Sequence, residues 1–412
     1  MSGSVIEGAF DRSHPLPGML RVASSDGNGV GVALGAIHAR RAGAVLRMRE
    51  PNAIDFWRGL ALITIFVNHM PGNLFEPFMY SRYTVSDATE LFVFLAGWSL
   101  ALATKRGGVA DPPGAVIMRV ATRTVEVYRA QLVITAIAFA MIAAAALYFD
   151  NPLLLEWHGA GAFFGAPIPS IIGWVALTYQ LGYFNILPLY VVLLMLAPVF
   201  ILIARASRWA ALAASFALYM ACLVFEIAMP SWPAEGSWNY NPLAWQFLLV
   251  LGFVASEWSR ESAAFRRWAW RLMPLGIVGV VLGLVAYFSE WKPDPLAVPE
   301  PRLVFIMDKP FFSPLRLLHF LALALAFQRL FRFIGPTIPW LTRQLSALGR
   351  NSLAVFSVGS LASLAGQLVR FFTGGGFIVD ALVLSIGLGI MSFTAWFVEW
   401  RLRSRSPSSL SS

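Results

Sequence analysis

Arg58 and His69 are the residues around which chemistry can be built in this chain. They stand eleven positions apart within one apolar stretch. In a helix that spacing is three turns plus about 20°, so both side chains share a face, roughly 16 Å apart along the axis. Leu62 and Ile65 fall between them on that face. An imidazole titrates near neutral pH and can take a proton from a hydroxyl. A guanidinium grips phosphate or carboxylate bidentately. The stretch therefore offers a cation at one end, a general base at the other and apolar surface between, a layout that suits a long ligand. Asn68, next to the imidazole, is a candidate either to donate to a developing oxyanion or to orient the acceptor.

A base of this kind needs a carboxylate that fixes its tautomer and stabilises the imidazolium. The following stretch opens Ser86-Asp87-Ala88-Thr89-Glu90 and runs apolar through Gly97 to Thr104. If the two stretches form a helical hairpin, Asp87 and Glu90 return at the depth of His69, and Asp87 is the expected partner. The plainer alternative for Arg58 is a pair with Asp55 that only marks a membrane border. Ionisable groups at membrane depth are costly, so they mark functional sites by default.

The elements that must carry these residues are membrane helices. The chain is 58% hydrophobic and 13% charged, against about 25% charge in a soluble protein, and its mean hydropathy is +0.67. Apolar segments of spanning length fall at about 54–71, 87–104, 128–149, 184–204, 209–229, 242–258, 272–289, 313–334, 348–372 and 377–400. The sequence thus predicts an all-α polytopic membrane protein of about ten spans. With both termini cytoplasmic, 25 of the 31 Lys and Arg lie on the cytoplasmic side, and only Arg82, Lys292, Arg302, Lys309, Arg316 and Arg370 lie outside, as the positive-inside rule requires. The net charge of +9 is then a matter of topology and calls for no nucleic-acid partner.

Residues 1–50 read as a disordered cytoplasmic tail, 51–402 as the transmembrane domain and 403–412 as a second cytoplasmic tail. Cys222 is the only cysteine, and it reads as a small buried hydrophobe. Neither His-x-x-x-His nor Cys-x-x-Cys occurs, so no metal is expected. Arg119 and Arg123, on a stretch from Val116 to Tyr128 that reads as an amphipathic surface helix, are either plain anchors or an anion site for a phosphorylated ligand. Residues 150–183 are long for a connection and suggest a re-entrant or interfacial element; His158 there reads as a solvated loop residue. The loop at 230–241 holds Trp232, Trp238, Asn239, Tyr240 and Asn241, an interfacial aromatic belt or rings that stack on sugar faces. Arg316 and His319 are three apart at a helix start and share a face.

Arg58-x10-His69 in a first spanning helix resembles the signature of the integral-membrane acyltransferases. The closer resemblance is to the OpgC family, which modifies osmoregulated periplasmic glucans. It is carried by Asp55-Phe56-Trp57-Arg58-Gly59-Leu60, Asn68-His69-Met70-Pro71-Gly72-Asn73, Ser86-Asp87-Ala88 through Phe94-Leu95-Ala96-Gly97, Asn185-Ile186-Leu187-Pro188-Leu189-Tyr190, Asn241-Pro242 with Trp245-Gln246, and Leu348-Gly349-Arg350-Asn351-Ser352-Leu353. The resemblance implies a bacterial inner-membrane O-acyltransferase. It implies acyl-CoA, succinyl-CoA in this family, as cytoplasmic donor, and hydroxyls of a periplasmic glucan as acceptor. It leaves room for periplasmic glucan-assembly proteins as partners. Arg58, Arg119 and Arg123 would hold the donor, although the arginines after the second helix are more spread than in the wider acyltransferase pattern. Arg316, with His319 as a secondary donor, would meet the succinyl carboxylate, since a buried charge needs a partner. A transporter and a scaffold of a glycan-assembly complex are the rival classes; inverted repeats expected of a transporter are not evident.

Overall fold

The computed structural model describes residues 50–106, 109–290 and 309–404. The two tails expected from the sequence lie almost wholly outside the described residues, as do Lys292 and Arg302. Apart from turns, the described chain is helical, with one exception. Strands β1 (Lys105–Arg106) and β2 (Val109–Ala110) pair antiparallel, Lys105 opposite Ala110.

Helix α1 (Ala53–Asn68) starts at Asn52, whose side chain accepts the Asp55 amide at 3.1 Å. Two 3-10 turns, Glu76–Phe78 and Tyr80–Tyr83, lead to α2 (Ala88–Ala103). Asp87 caps α2 and Glu90 reaches back to the Asp87 amide, a reciprocal box that closes both exposed donors. The expected helical hairpin is therefore present. Each arm has 16 residues and rises about 24 Å, short of a hydrocarbon core of about 30 Å.

Helix α3 (Pro113–Tyr148) is a correction to the sequence reading. Val116 to Tyr128 is not a separate surface helix: it runs without a break into the apolar part, 36 residues in all, about 54 Å. A 3-10 segment (Pro152–Gly159) and the short helices α4 (Gly161–Gly165) and α5 (Pro167–Val175) fill the long connection that follows. Then come α6 (Ile186–Ala206), α7 (Arg208–Val224), α8 (Pro242–Glu261), α9 (Ala263–Arg271), α10 (Met273–Phe288), α11 (Pro314–Phe327), α12 (Leu330–Thr337), α13 (Pro339–Arg350), α14 (Ser352–Thr373) and α15 (Phe377–Ser404). Polar caps fix several starts: Ser207 opens α7, Asn241 before Pro242 opens α8, and Ser262 opens α9.

Among the described residues four helices (α3, α6, α14, α15) are long and apolar enough to cross a membrane, and six if the pairs α9–α10, bent by 42°, and α11–α12, bent by 48°, each count as one span. The chain is a membrane protein. Of the other segments expected as spans, α2 and α7 are apolar but short.

The hairpin is locked by close backbone contact. Helix α13 packs on α1 so tightly that a Cβ at Gly59 would overlap the Leu345 carbonyl. Helix α8 packs on α2 in the same manner, with Gly97 against the Leu249 carbonyl. Small residues at such crossings substitute dispersion for the hydrophobic drive that lipid does not supply.

Candidate functional site

His69 is the residue at the C-terminal end of α1, where helix carbonyls lack intrahelical partners. Side chains meet several of the carbonyls at and just beyond this end. Asn73 donates to Val67 O at 3.0 Å and Met70 O at 2.7 Å. Gln367 of α14 donates to the His69 carbonyl. Arg370 donates to Pro71 O and Gly72 O, both at 2.7 Å, and pairs through Nε with buried Asp380 of α15 at 2.6 Å. The other Asp380 oxygen accepts the Leu74 amide at 2.8 Å. The backbone around the imidazole is thus clamped from two further helices. The role of Asp380 was not legible in sequence, because a lone acid in an apolar run names no partner.

The imidazole faces a cavity of about 510 Å³, named the outer cavity after the orientation expected from the sequence. Its Nδ1 is buried and has no hydrogen-bond partner among the described residues. Tyr183 lies against the ring, centroids 4.9 Å apart, and His158 lies 5.0 Å beyond Tyr183. Both have left-handed backbones, φ +66° and +57°, which for such side chains costs about 1–3 kcal/mol and is found where surroundings over-determine it, often at ligand sites. The rest of the wall is mainly amide and aromatic: Asn68, Gln180 and Asn185 with Tyr179, Trp238 and Tyr240. Asn68 is held by Ser81 at 2.6 Å. Burial lowers the His158 pKa, so that ring is neutral.

Asp87 lines this cavity with His69, as the hairpin requires. Its hydrogen bonds, however, run elsewhere. One oxygen accepts the Thr89 amide at 2.7 Å, and the other meets the Lys309 ammonium at 2.9 Å. No bond to the imidazole is formed among the described residues. Lys309 also lines the cavity and stands 5.8 Å from the Tyr240 ring centroid. Burial works against its charge, but the neighbouring Asp87 carboxylate outweighs that and raises its pKa.

Glu90 is fully buried and its oxygens are committed. One accepts the Asp87 amide at 2.8 Å, and the other accepts Nε and a terminal nitrogen of Arg316 at 2.8 and 2.5 Å. Arg316 also approaches Asp87 at 3.7 Å. Neither Glu90 nor Arg316 lines the outer cavity. His319 does not either: its Nδ1 bonds Ser86 at 3.1 Å, and its Nε2 abuts Gly283 of α10. The helix-start signature Asp87-x-x-Glu90 was present in the sequence, and it already implied that Glu90 turns back to the backbone.

An inner cavity of about 300 Å³ opens at the other end of the hairpin. Arg58, Arg119 and Arg123, from α1 and α3, all line it, with Ser99 and Thr104. Arg58 donates across the hairpin to Leu95 O at 3.1 Å and Ser99 Oγ at 2.7 Å. Arg119 pairs with Asp111 at 2.8 Å, and Arg123 with Glu126 at 2.9 Å. Ser352 and Leu353, from the Asn351-Ser352-Leu353 motif, complete the wall. The two cavities are lined by neighbouring residues of the same helices. Ala88, Thr89 and Ile186 line the outer one, while Phe92 and Leu187 line the inner one. Tyr190 and Phe356 flank Phe92, with centroids 6.2 and 6.3 Å away.

No curated protein and no solved structure matches this chain. A family model described as OpgC protein matches residues 49–403, the stretch that holds both cavities, and the chain therefore belongs to the OpgC family.

Proposed function

We propose that this protein is an O-acyltransferase of the bacterial inner membrane that moves succinyl from cytoplasmic succinyl-CoA to hydroxyls of a periplasmic glucan. Membership of the OpgC family points to glucan modification and is consistent with a transferase. One observation carries the finer reading: a single helix, α1, places Arg58 in one cavity and His69 in another of different chemistry. The inner cavity has three arginines, the residue type suited to a phosphorylated coenzyme. The outer one has an imidazole with an unpartnered ring nitrogen among amide and aromatic groups, a surrounding suited to a sugar hydroxyl.

In this mechanism the thioester arm passes from the arginines toward His69. His69 takes the proton of the acceptor hydroxyl as that oxygen attacks the thioester carbonyl. A C–O bond forms, the C–S bond breaks, and the imidazolium returns the proton to the departing thiolate. The products are an ester and free coenzyme A. The second N–H of the Asn68 amide is the candidate donor to the oxyanion. Asp87 supports the imidazolium by its charge across the cavity rather than by a hydrogen bond. The carboxylate end of the succinyl chain meets Lys309. Arg316, the residue expected from the sequence, is instead engaged by Glu90, and its role is to hold α11 against the hairpin.

The test is His69→Ala in purified protein and in cells. Loss of the base is expected to lower acyl transfer by about 10²–10⁴-fold, and mass spectra of periplasmic glucans should lose the acyl group. A scaffold would not need the imidazole, so normal glucan acylation in this variant overturns the reading. Transport of glucan or coenzyme by vesicles that catalyse no transfer does so equally.

A further inference from the structure

The outer cavity has a neighbour. A second hollow of about 560 Å³ opens beside it, lined by Glu156, Trp157, Gln367, Arg370 and Phe371. His158 lines both and forms the wall between them. Each volume alone lies in the range of about 300–1,000 Å³ that holds a small organic ligand, so the pair has room for more than the one unit that reacts.

The wall is built firmly. His158 keeps its left-handed backbone, accepts the Gly182 amide at 2.8 Å and packs its ring on Tyr183. Behind it, Gln367 both lines the second hollow and donates to the carbonyl of His69. The hollow therefore borders the backbone of the proposed base, and a ligand spanning both cavities would pass directly over it.

The chemistry of the second hollow is specific. Trp157 and Phe371 meet edge to face, centroids 5.1 Å apart at 87°, and Phe371 is 51% exposed. The exposed part of this aromatic pair can attract the weakly positive C–H groups of a pyranose face through the aromatic quadrupole. The hollow offers no uncommitted cation: Glu156 is the acid in its lining, and the Arg370 guanidinium is already engaged by Asp380, Pro71 O and Gly72 O. His158 is neutral, as described above. A surface of aromatic rings, one side-chain amide, a carboxylate that can accept hydroxyl hydrogen bonds and no uncommitted cation suits an uncharged polyhydroxy ligand and offers nothing to a polyanion.

We infer that this hollow is a second subsite for an extended, uncharged glycan chain: one sugar unit presents its hydroxyl to His69 while a neighbouring unit of the same chain rests on Trp157 and Phe371. The inference deepens the acyl-transfer reading, since it takes the acceptor to be a glycan, but it is tested by binding alone. The probes are glucose, a glucose trisaccharide and a glucose hexasaccharide, titrated calorimetrically into the full chain in nanodiscs. Affinity of the native chain is expected to rise by about tenfold, or 1.4 kcal/mol, once the oligomer is long enough to reach both hollows. Trp157→Ala should abolish that rise and leave glucose binding unchanged; Phe371→Leu, a milder change, should reduce it. Affinity that is flat with chain length in the native protein, or equal weakening of short and long probes in both variants, overturns the inference. Stepwise binding in a native protein that transfers no acyl group supports the subsite and sinks the acyltransferase reading instead.

Discussion

Lys309 is the single cation on the wall of the outer cavity among the described residues, and its neighbour Asp87 is only partly screened from the cavity. A hydrogen bond from an ammonium to a carboxylate is worth about 1.5–3 kcal/mol, which is roughly ten- to a hundredfold in rate. Lys309→Met should therefore lower succinyl transfer by that factor and leave acetyl transfer nearly unchanged, measured with the two coenzyme A thioesters on one acceptor. Equal losses for both donors would assign Lys309 to folding. Arg316→Leu should behave differently. It strands Glu90, which is fully buried, and uncompensated buried charge costs about 3–5 kcal/mol, so both transfers should fall together with thermal stability. This division of labour was not legible in the chain. Arg316 and Glu90 are 226 positions apart, and nothing local says which acid a helix-start arginine will meet. His69, Asp87 and Asn68 were legible as one cluster because the hairpin alone brings them together.

At the scale of elements, the hairpin depends on two crossings where backbone meets backbone. A side chain larger than hydrogen at Gly97 would overlap the Leu249 carbonyl of α8. Overpacking of this kind costs about 1–3 kcal/mol, and here it would also push α2, with Asp87 and Ser99, away from α1. Gly97→Leu is expected to lower the unfolding temperature in detergent and to impair both cavities at once, read as loss of donor and acceptor binding. A loss of only one would mean that the two ends of the hairpin are positioned independently. Helix periodicity and apolar runs made the helices legible. They did not reveal that Val116–Tyr128 continues into α3, because a charged amphipathic half followed by an apolar half reads as two elements unless the turn between them is absent for a stated reason. Nor did they give the 42° and 48° bends.

At the scale of the whole molecule, the partition of Lys and Arg predicts the orientation. Reporter fusions after Thr104 and Arg205 should read cytoplasmic, and after Asn151 and Gly236 periplasmic; a periplasmic signal after Arg205 would refute the ten-span arrangement. The same orientation gives electrical meaning to the buried apolar residues Leu62 and Ile65 between Arg58 and His69. Voltage falls where water is excluded, so a charge passing from one cavity to the other would cross part of the membrane potential, which is worth about 2.3 kcal/mol per elementary charge per 100 mV across its full span. With the cytoplasm negative, a terminal carboxylate travelling outward runs downhill, whereas an acetyl group feels no field. Proteoliposomes given an inside-negative potential should transfer succinyl faster and acetyl at an unchanged rate, so that an energised membrane itself selects the charged acyl group.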